Sequence, residues 1–145
     1  MKAISLWQPW ATLIAIGAKQ FETRSWDTNY RGPLAIHAAK RPARLDECSA
    51  DVRAALHRNG YNDFSTLPYG CIVCTVNLAG CYIVKSDSFI REGIALGLIT
   101  PMEEYFGNYT PGRYAWRLEN VQLVPNIPAR GSQGFWEWEP QAVGG

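Results

Sequence analysis

Hydrophobic and polar positions recur along this chain in short bursts whose period keeps changing. Residues 2–6 read as a short strand. Pro9 then takes the first helical position, Trp10, Leu13 and Ile14 recur on one helix face, and Gly17 closes the helix. From Lys19 to Trp26 the period drops to two. Gln20, Glu22, Arg24 and Trp26 share one side and Phe21, Thr23 and Ser25 the other, as in a half-buried strand. Arg31-Gly32-Pro33 is a turn. In the strand that follows, Leu34 and Ile36 lie on one face and His37 on the opposite one.

Leu45, Cys48, Val52 and Ala55 fall at helical intervals ahead of Asn59-Gly60, which predicts a helix over much of 42–59. Tyr61 to Tyr69 is loop-like. Cys71 to Ile83 is the longest strand, with a bulge or bend expected at Ala79-Gly80. Ser86 or Asp87 caps a short helix through Glu92. Thr100-Pro101-Met102-Glu103 has the capping-box arrangement, with Glu103 at N3, and its helix stops at Gly107. Tyr114 to Val124 is a strand ended by Pro125 and Pro128, and Phe135 to Trp138 is a last, aromatic one. Five or six short strands interleaved with short helices, without regular βαβ spacing, predict an α+β fold: a mixed, mainly antiparallel sheet curled into a barrel.

Length and composition narrow this picture. At 145 residues and 47% hydrophobic, the chain fits one domain, placed at residues 1–140 with a tail at 141–145. Fourteen Lys+Arg against 13 Asp+Glu give a net charge of +1, so attraction to phosphate has to come from local clustering, and a basic DNA-coating protein is excluded. No stretch approaches the ~20 apolar residues of a membrane span, and Pro9 breaks the N-terminal run too early for a signal-peptide core. A soluble, cytoplasmic protein without a membrane partner is expected. Cys71 and Cys74 sit three apart in a β-branched run, which points them to opposite strand faces. With only His37 and His57 as histidines and no second C-x-x-C, neither a metal nor a cofactor is expected, and the thiols read as reduced and mostly buried.

Five stretches carry a family resemblance. Ser5-Leu6-Trp7-Gln8-Pro9-Trp10-Ala11, followed by Gly17-Ala18-Lys19-Gln20-Phe21-Glu22-Thr23-Arg24, resembles the signature of the ASCH family, with a helix-ending Gly and then Lys, Glu and Arg at this spacing. Arg31 to Lys40, and the closing Trp116 to Asn120 and Gly134 to Glu137, are similar to bacterial and phage members. The resemblance implies a PUA-like barrel and an RNA-related role.

The signature also has a direct physical reading. Glu22 and Arg24 are two apart on one strand face, about 6.6 Å at ~3.3 Å per residue, so the carboxylate can fix the guanidinium fork for a phosphate or a base edge. Read alone, the same pair is an ordinary surface ion pair and Lys19 a solvated cation. Trp7, Trp10 and Trp116 are stacking platforms or core anchors. Gln8 either reads a base edge or satisfies the helix start and a loop carbonyl. His37, with Lys40 and Arg41 following, is a candidate base or a half-buried histidine bonded to backbone. Ser132, in the donor-rich stretch Arg130 to Gly134, either wraps a phosphate or turns the chain.

Three functions are compatible with these residues. The first is a non-catalytic module that binds single-stranded RNA or a nucleotide through Trp7, Gln8, Trp10, Lys19, Arg24, Lys40, Arg41, Trp116 and Ser132. The second is a metal-independent ribonuclease with Lys19, Glu22, His37 and Lys40 as its catalytic set. The third, implied by the resemblance, is an amidohydrolase acting on acetylated cytidine. Members of that kind place a nucleophilic Thr three residues after the Lys, where this chain has Glu22, and the strand pattern turns Thr23 to the other side.

Overall fold

Six strands and three helices make up the computed structural model, which describes residues 1–140; the proposed tail at 141–145 lies outside the described residues. The strands are β1 (Lys2–Leu6), β2 (Phe21–Arg24), β3 (Gly32–Ala38), β4 (Cys71–Ile83), β5 (Tyr114–Pro128) and β6 (Trp136–Glu137). They form one sheet in the order β2-β5-β4-β3-β1-β6, antiparallel throughout except for the parallel pair β1 and β3. The helices are α1 (Trp10–Ala15), α2 (Ala50–Arg58) and α3 (Phe89–Ala95), with 3₁₀ turns at Leu45–Glu47, Phe64–Thr66 and Pro101–Tyr105.

The expected barrel is present as a curled sheet, but no ladder closes it. β2 and β6 are its two edges. β6 is two residues long and covers only Lys2 and Ala3 of β1, so the end of β1 near Ser5 faces β2 across a gap. Side chains bridge that gap. Arg24 Nη2 donates to the Ser5 carbonyl at 3.0 Å, and the Phe135 ring lies 5.2 Å from Trp26 and 5.4 Å from Trp116.

The predicted strand over 114–124 runs on through both prolines to Pro128. The reason is local: Pro125 falls in the register shift between the Leu123–Cys74 and Ile127–Ile72 pairs, where the ladder with β4 is interrupted, and Pro128 is the last residue of the strand. The bend expected near Ala79-Gly80 is one of three register shifts along the β4–β5 pair. Another, between Ile72 and Cys74, reverses the alternation of the strand. Cys71 and Cys74 therefore both enter the main core, beside Ile4, Leu34 and Ile36, while Ile72 packs on the opposite face. Strict alternation had placed the two thiols on opposite faces. Burial pushes the Cys74 thiol up to about 12, which keeps it protonated and unreactive.

The single helix predicted over 42–59 is divided. Ser49 starts α2 anew by accepting the Val52 N–H on its side chain, and α2 buries Val52, Ala55 and Leu56 against Leu13 and Phe106. Glu103 departs from its capping-box role altogether. Thr100 makes no side-chain cap, and the fully buried Glu103 carboxylate instead accepts the N–H groups of Gln20 at 2.8 Å and Phe21 at 3.2 Å, anchoring the start of β2. Its pKa is raised, chiefly by burial, against the opposing pull of those two donors and of Lys19.

His37 stands on the face opposite Ile36, as the alternation predicts, and holds the chain leaving β5. A carbonyl can only accept, so Nε2 carries the ring proton and donates to Ala129 O at 2.8 Å, and Nδ1 accepts from Ser5 Oγ at 2.9 Å. Trp136 Nε1 in turn donates to Ser5 Oγ at 3.2 Å. Gly131 packs directly on this assembly, where a Cβ would sit 2.6 Å from the imidazole and closer still to Ser5 Oγ.

Two outcomes are expected. Trp116 is fully buried, so Trp116→Ala should lower unfolding free energy in urea by about 3–5 kcal/mol; a loss under about 1 kcal/mol would remove it from the core. Burial lowers the His37 pKa below its ordinary 6.5. As pH falls the unfolded chain takes up that proton first, so this contribution is whole above about 6.5 and shrinks as pH drops toward the folded value. Glu103, raised in the fold, acts in the opposite sense. The difference between wild type and His37→Gln isolates the histidine: wild type should lose stability relative to the variant between about pH 7 and 5, and a flat difference would contradict the assignment.

Candidate functional site

β2 is a sheet edge, and the gap between it and β1 opens into a cleft of about 830 Å³. Its walls come from β2, from the turn after β1 with Trp7 and Trp10, from residues 105–108, and from residues 132–134. Lys19, Glu22 and Arg24 lie together in it. The Lys19 side chain is buried, with Nζ 2.6 Å from the Phe106 carbonyl and 3.6 Å from Glu22 Oε1. Glu22 Oε2 accepts from Arg24 Nε at 3.1 Å and lies 3.0 Å from Arg24 Nη2, while Oε1 receives the Thr23 N–H at 3.1 Å. Unlike an exposed pair, these charges are withdrawn from water, so each needs the others.

Arg113 joins them from the start of β5, donating to Thr23 O at 3.0 Å and Asn108 O at 3.1 Å. The cleft thus holds three cations, Lys19, Arg24 and Arg113, against one carboxylate, Glu22. Thr23 also borders the cleft, although alternation turns it from Glu22 and Arg24; its Oγ1 accepts the Asn108 N–H at 3.1 Å. With no strand beyond β2, the segment 106–108 folds over that second face.

Trp7 is 55% exposed at the rim. The Arg41 guanidinium lies 4.0 Å from its ring centroid and is held by Glu47 through contacts of 2.6 and 3.2 Å. That pairing raises the Arg41 pKa and lowers that of Glu47. Arg41 does not itself line the cleft, and Trp7 keeps more than half of its surface exposed beside this contact.

Several expected site residues are placed elsewhere. Gln8 is 1% exposed and spends its amide on Thr12 N, Thr12 Oγ1 and Pro68 O, which is the helix-start and loop role rather than base reading. Trp116 is fully buried between Trp26 and Phe135, so it has no face for a base. His37 and Lys40 line an adjoining groove instead of the cleft, and both His37 nitrogens are bonded. Ser132 borders cleft and groove alike. Trp10 lines the cleft while packing on the core.

Trp26, Tyr105, Asn108 and Arg113 line the cleft without having been marked by the sequence, and Gln133 enters it from the donor-rich stretch 130–134. Arg113 lies 90 residues from the Thr23 carbonyl it bonds, and no local pattern encodes such a meeting. For Trp26 a signal existed, since it continues the alternating face of Glu22 and Arg24. Among the described residues, no group of three or more His, Cys, Asp or Glu side chains gathers to hold a metal, and no helix is long and apolar enough to cross a membrane.

Comparison with solved structures finds the same fold in the crystal structure of ASCH from Zymomonas mobilis, with a TM-score of 0.55 and 15% identity over 97% of this chain and 87% of that one. A mutant form of that protein aligns with a TM-score of 0.53. Among characterised sequences, Activating signal cointegrator 1 of Homo sapiens and that of Mus musculus are each 38% identical over 84 residues, 57% of this chain. The matched segment is 14% of the length of those relatives. The ASCH domain model matches residues 4–126, a span that takes in the Lys19, Glu22 and Arg24 cluster together with all of β1 to β4 past its first residues. The chain belongs to the ASCH domain family.

Proposed function

We propose that this domain binds single-stranded RNA, taking an unstacked base and its phosphate into the cleft between β1 and β2. One observation carries the reading: the cleft sets the aromatic side chains of Trp7, Trp10 and Trp26 beside three cations and a single carboxylate. Stacking supplies sequence-tolerant affinity for a splayed base, and surplus positive charge supplies attraction for its phosphate. Trp7 is the principal platform. The Arg41 guanidinium already packs on the Trp7 ring, so the indole is held in place and stacking a base on it carries little ordering cost. Arg113 and the part of the Arg24 guanidinium not engaged by Glu22 and Ser5 turn toward phosphate.

Binding is favoured over chemistry because the candidate catalytic groups are not gathered at one point. Glu22 and Lys19 lie in the cleft in structural contacts with Thr23 N, Arg24 and Phe106 O, while His37 and Lys40 line the adjoining groove, His37 with Ser5 Oγ and Ala129 O at its two nitrogens. A general base has to stand within hydrogen-bond reach of the proton it takes.

Fluorescence anisotropy with a labelled single-stranded oligoribonucleotide in chelator tests this. Trp7→Ala should weaken binding by about 1–3 kcal/mol, roughly 5- to 150-fold, with the RNA recovered intact on a gel. Affinity that survives both Trp7→Ala and Arg113→Ala would sink the reading. Cleavage in chelator that disappears in Lys19→Gln would replace it with a ribonuclease.

A further inference from the structure

A second groove, of about 990 Å³, runs on from the cleft along the end of β3 and the chain leaving β5. The two are continuous, sharing Ser5, Ala39, Ser132 and Gln133 in their walls. Its charged residues are Lys40 and Arg130, and no carboxylate lines it. Both cations are exposed, and neither has an ion-pair partner among the described residues. On a chain whose net charge is only +1, an opening with two uncompensated cations beside a cleft with three cations and one carboxylate is a local concentration of positive charge.

The groove is also built to stay open. Gly70, at φ +68°, lets the Lys40 stem lie against backbone, where a Cβ would come within 3.1 Å of the lysine Cγ and Cε. Gly70 N donates to Ala38 O at 2.7 Å and Ala129 N donates to Gly70 O at 3.1 Å, tying the groove floor to β3 and to the loop that carries Arg130. His37 fixes that loop from below through Ala129 O, and Gly131 fits over Ser5 and the imidazole with no room for a side chain. The segment 130–133 thus separates two basic openings, and its exposed residues Ser132 and Gln133 line both. Residues 128–133, one wall of the groove, lie past residue 126, where the family match ends, whereas Ser5, His37, Ala39, Lys40 and Gly70 lie within it.

We propose that this groove is a second nucleotide subsite, in which Arg130 and Lys40 take the phosphodiester adjoining the base held in the cleft. The ligand is then an oligoribonucleotide of at least two residues laid across the Ser132–Gln133 partition. This rests on the reading that the cleft holds a base. Lys40, as a mobile point charge on an ordered stem, and Arg130, as a planar fork, contact one backbone from opposite sides. His37 serves as a positioning residue, holding the partition rather than touching RNA.

The full chain should be titrated with uridine 5′-monophosphate and with oligouridylates of increasing length, at several salt concentrations. Wild type should bind the oligomers at least about 10-fold more tightly than the mononucleotide, and Arg130→Ala should lose most of that increment. Its salt slope for an oligomer should fall by about 0.7, the value of one phosphate contact on a single strand. Lys40→Ala should act in the same way. Arg130 is exposed and has no ion-pair partner among the described residues, so its removal should leave the fold intact. If oligomers bind no better than the mononucleotide, or Arg130→Ala and Lys40→Ala both keep the increment and the slope, the second subsite is overturned while base binding in the cleft stands. Failure of mononucleotide and oligomers alike to bind would overturn both.

Discussion

The buried carboxylate of Glu22, held between the Lys19 ammonium and the Arg24 guanidinium, is the constraint on which the rest of this structure depends. Charges taken out of water are tolerated only where partners replace the lost hydration, and each of these three reaches a different part of the chain. Through Lys19 the cluster holds the Phe106 carbonyl, through Arg24 it holds Ser5 at the end of β1, and through its own strand it holds β5. A sheet left open between β2 and β1 is therefore closed by an ion cluster, and the cleft is the space that this closure leaves.

The same economy explains why the cleft is basic in a nearly neutral protein. Glu103, the second buried carboxylate nearby, is turned onto the backbone of Gln20 and Phe21, where it anchors β2 without facing the opening. Glu47 is drawn off to Arg41, and Arg41 to the ring of Trp7. These two carboxylates are engaged away from the opening, so Glu22 alone faces Lys19, Arg24 and Arg113 in the cleft and none faces Lys40 and Arg130 in the groove. No field over the whole molecule is needed for a polyanion to find that surface.

Individual residues show how much of this was legible in order along the chain. The strand at 21–24, the helix beginning at Trp10, the long strand at 71–83 and the pairing of Glu22 with Arg24 all follow from period and spacing, because they are local. Gln8, Trp116 and His37 show where local reading stops. Each had a binding role and a structural role open to it, and the partners that decided between them, Pro68, Phe135 and Ala129, come from distant segments. Cys71 and Cys74 illustrate a different failure, since a single bulge inverts every later side chain on a strand and leaves no mark in composition.

By itself the sequence determined the element types, the α+β class, the family signature and the residues that make the central ion cluster. These rest on periodicity, on turn residues and on side chains within five positions of each other. Only the tertiary structure decided that the sheet stays open, that β2 lies at its edge, and that Arg113, Trp26 and the 130–134 loop meet Lys19, Glu22 and Arg24 around one cleft. Burial and ladder closure depend on which strands become neighbours, and that choice is made by the packing of the whole core.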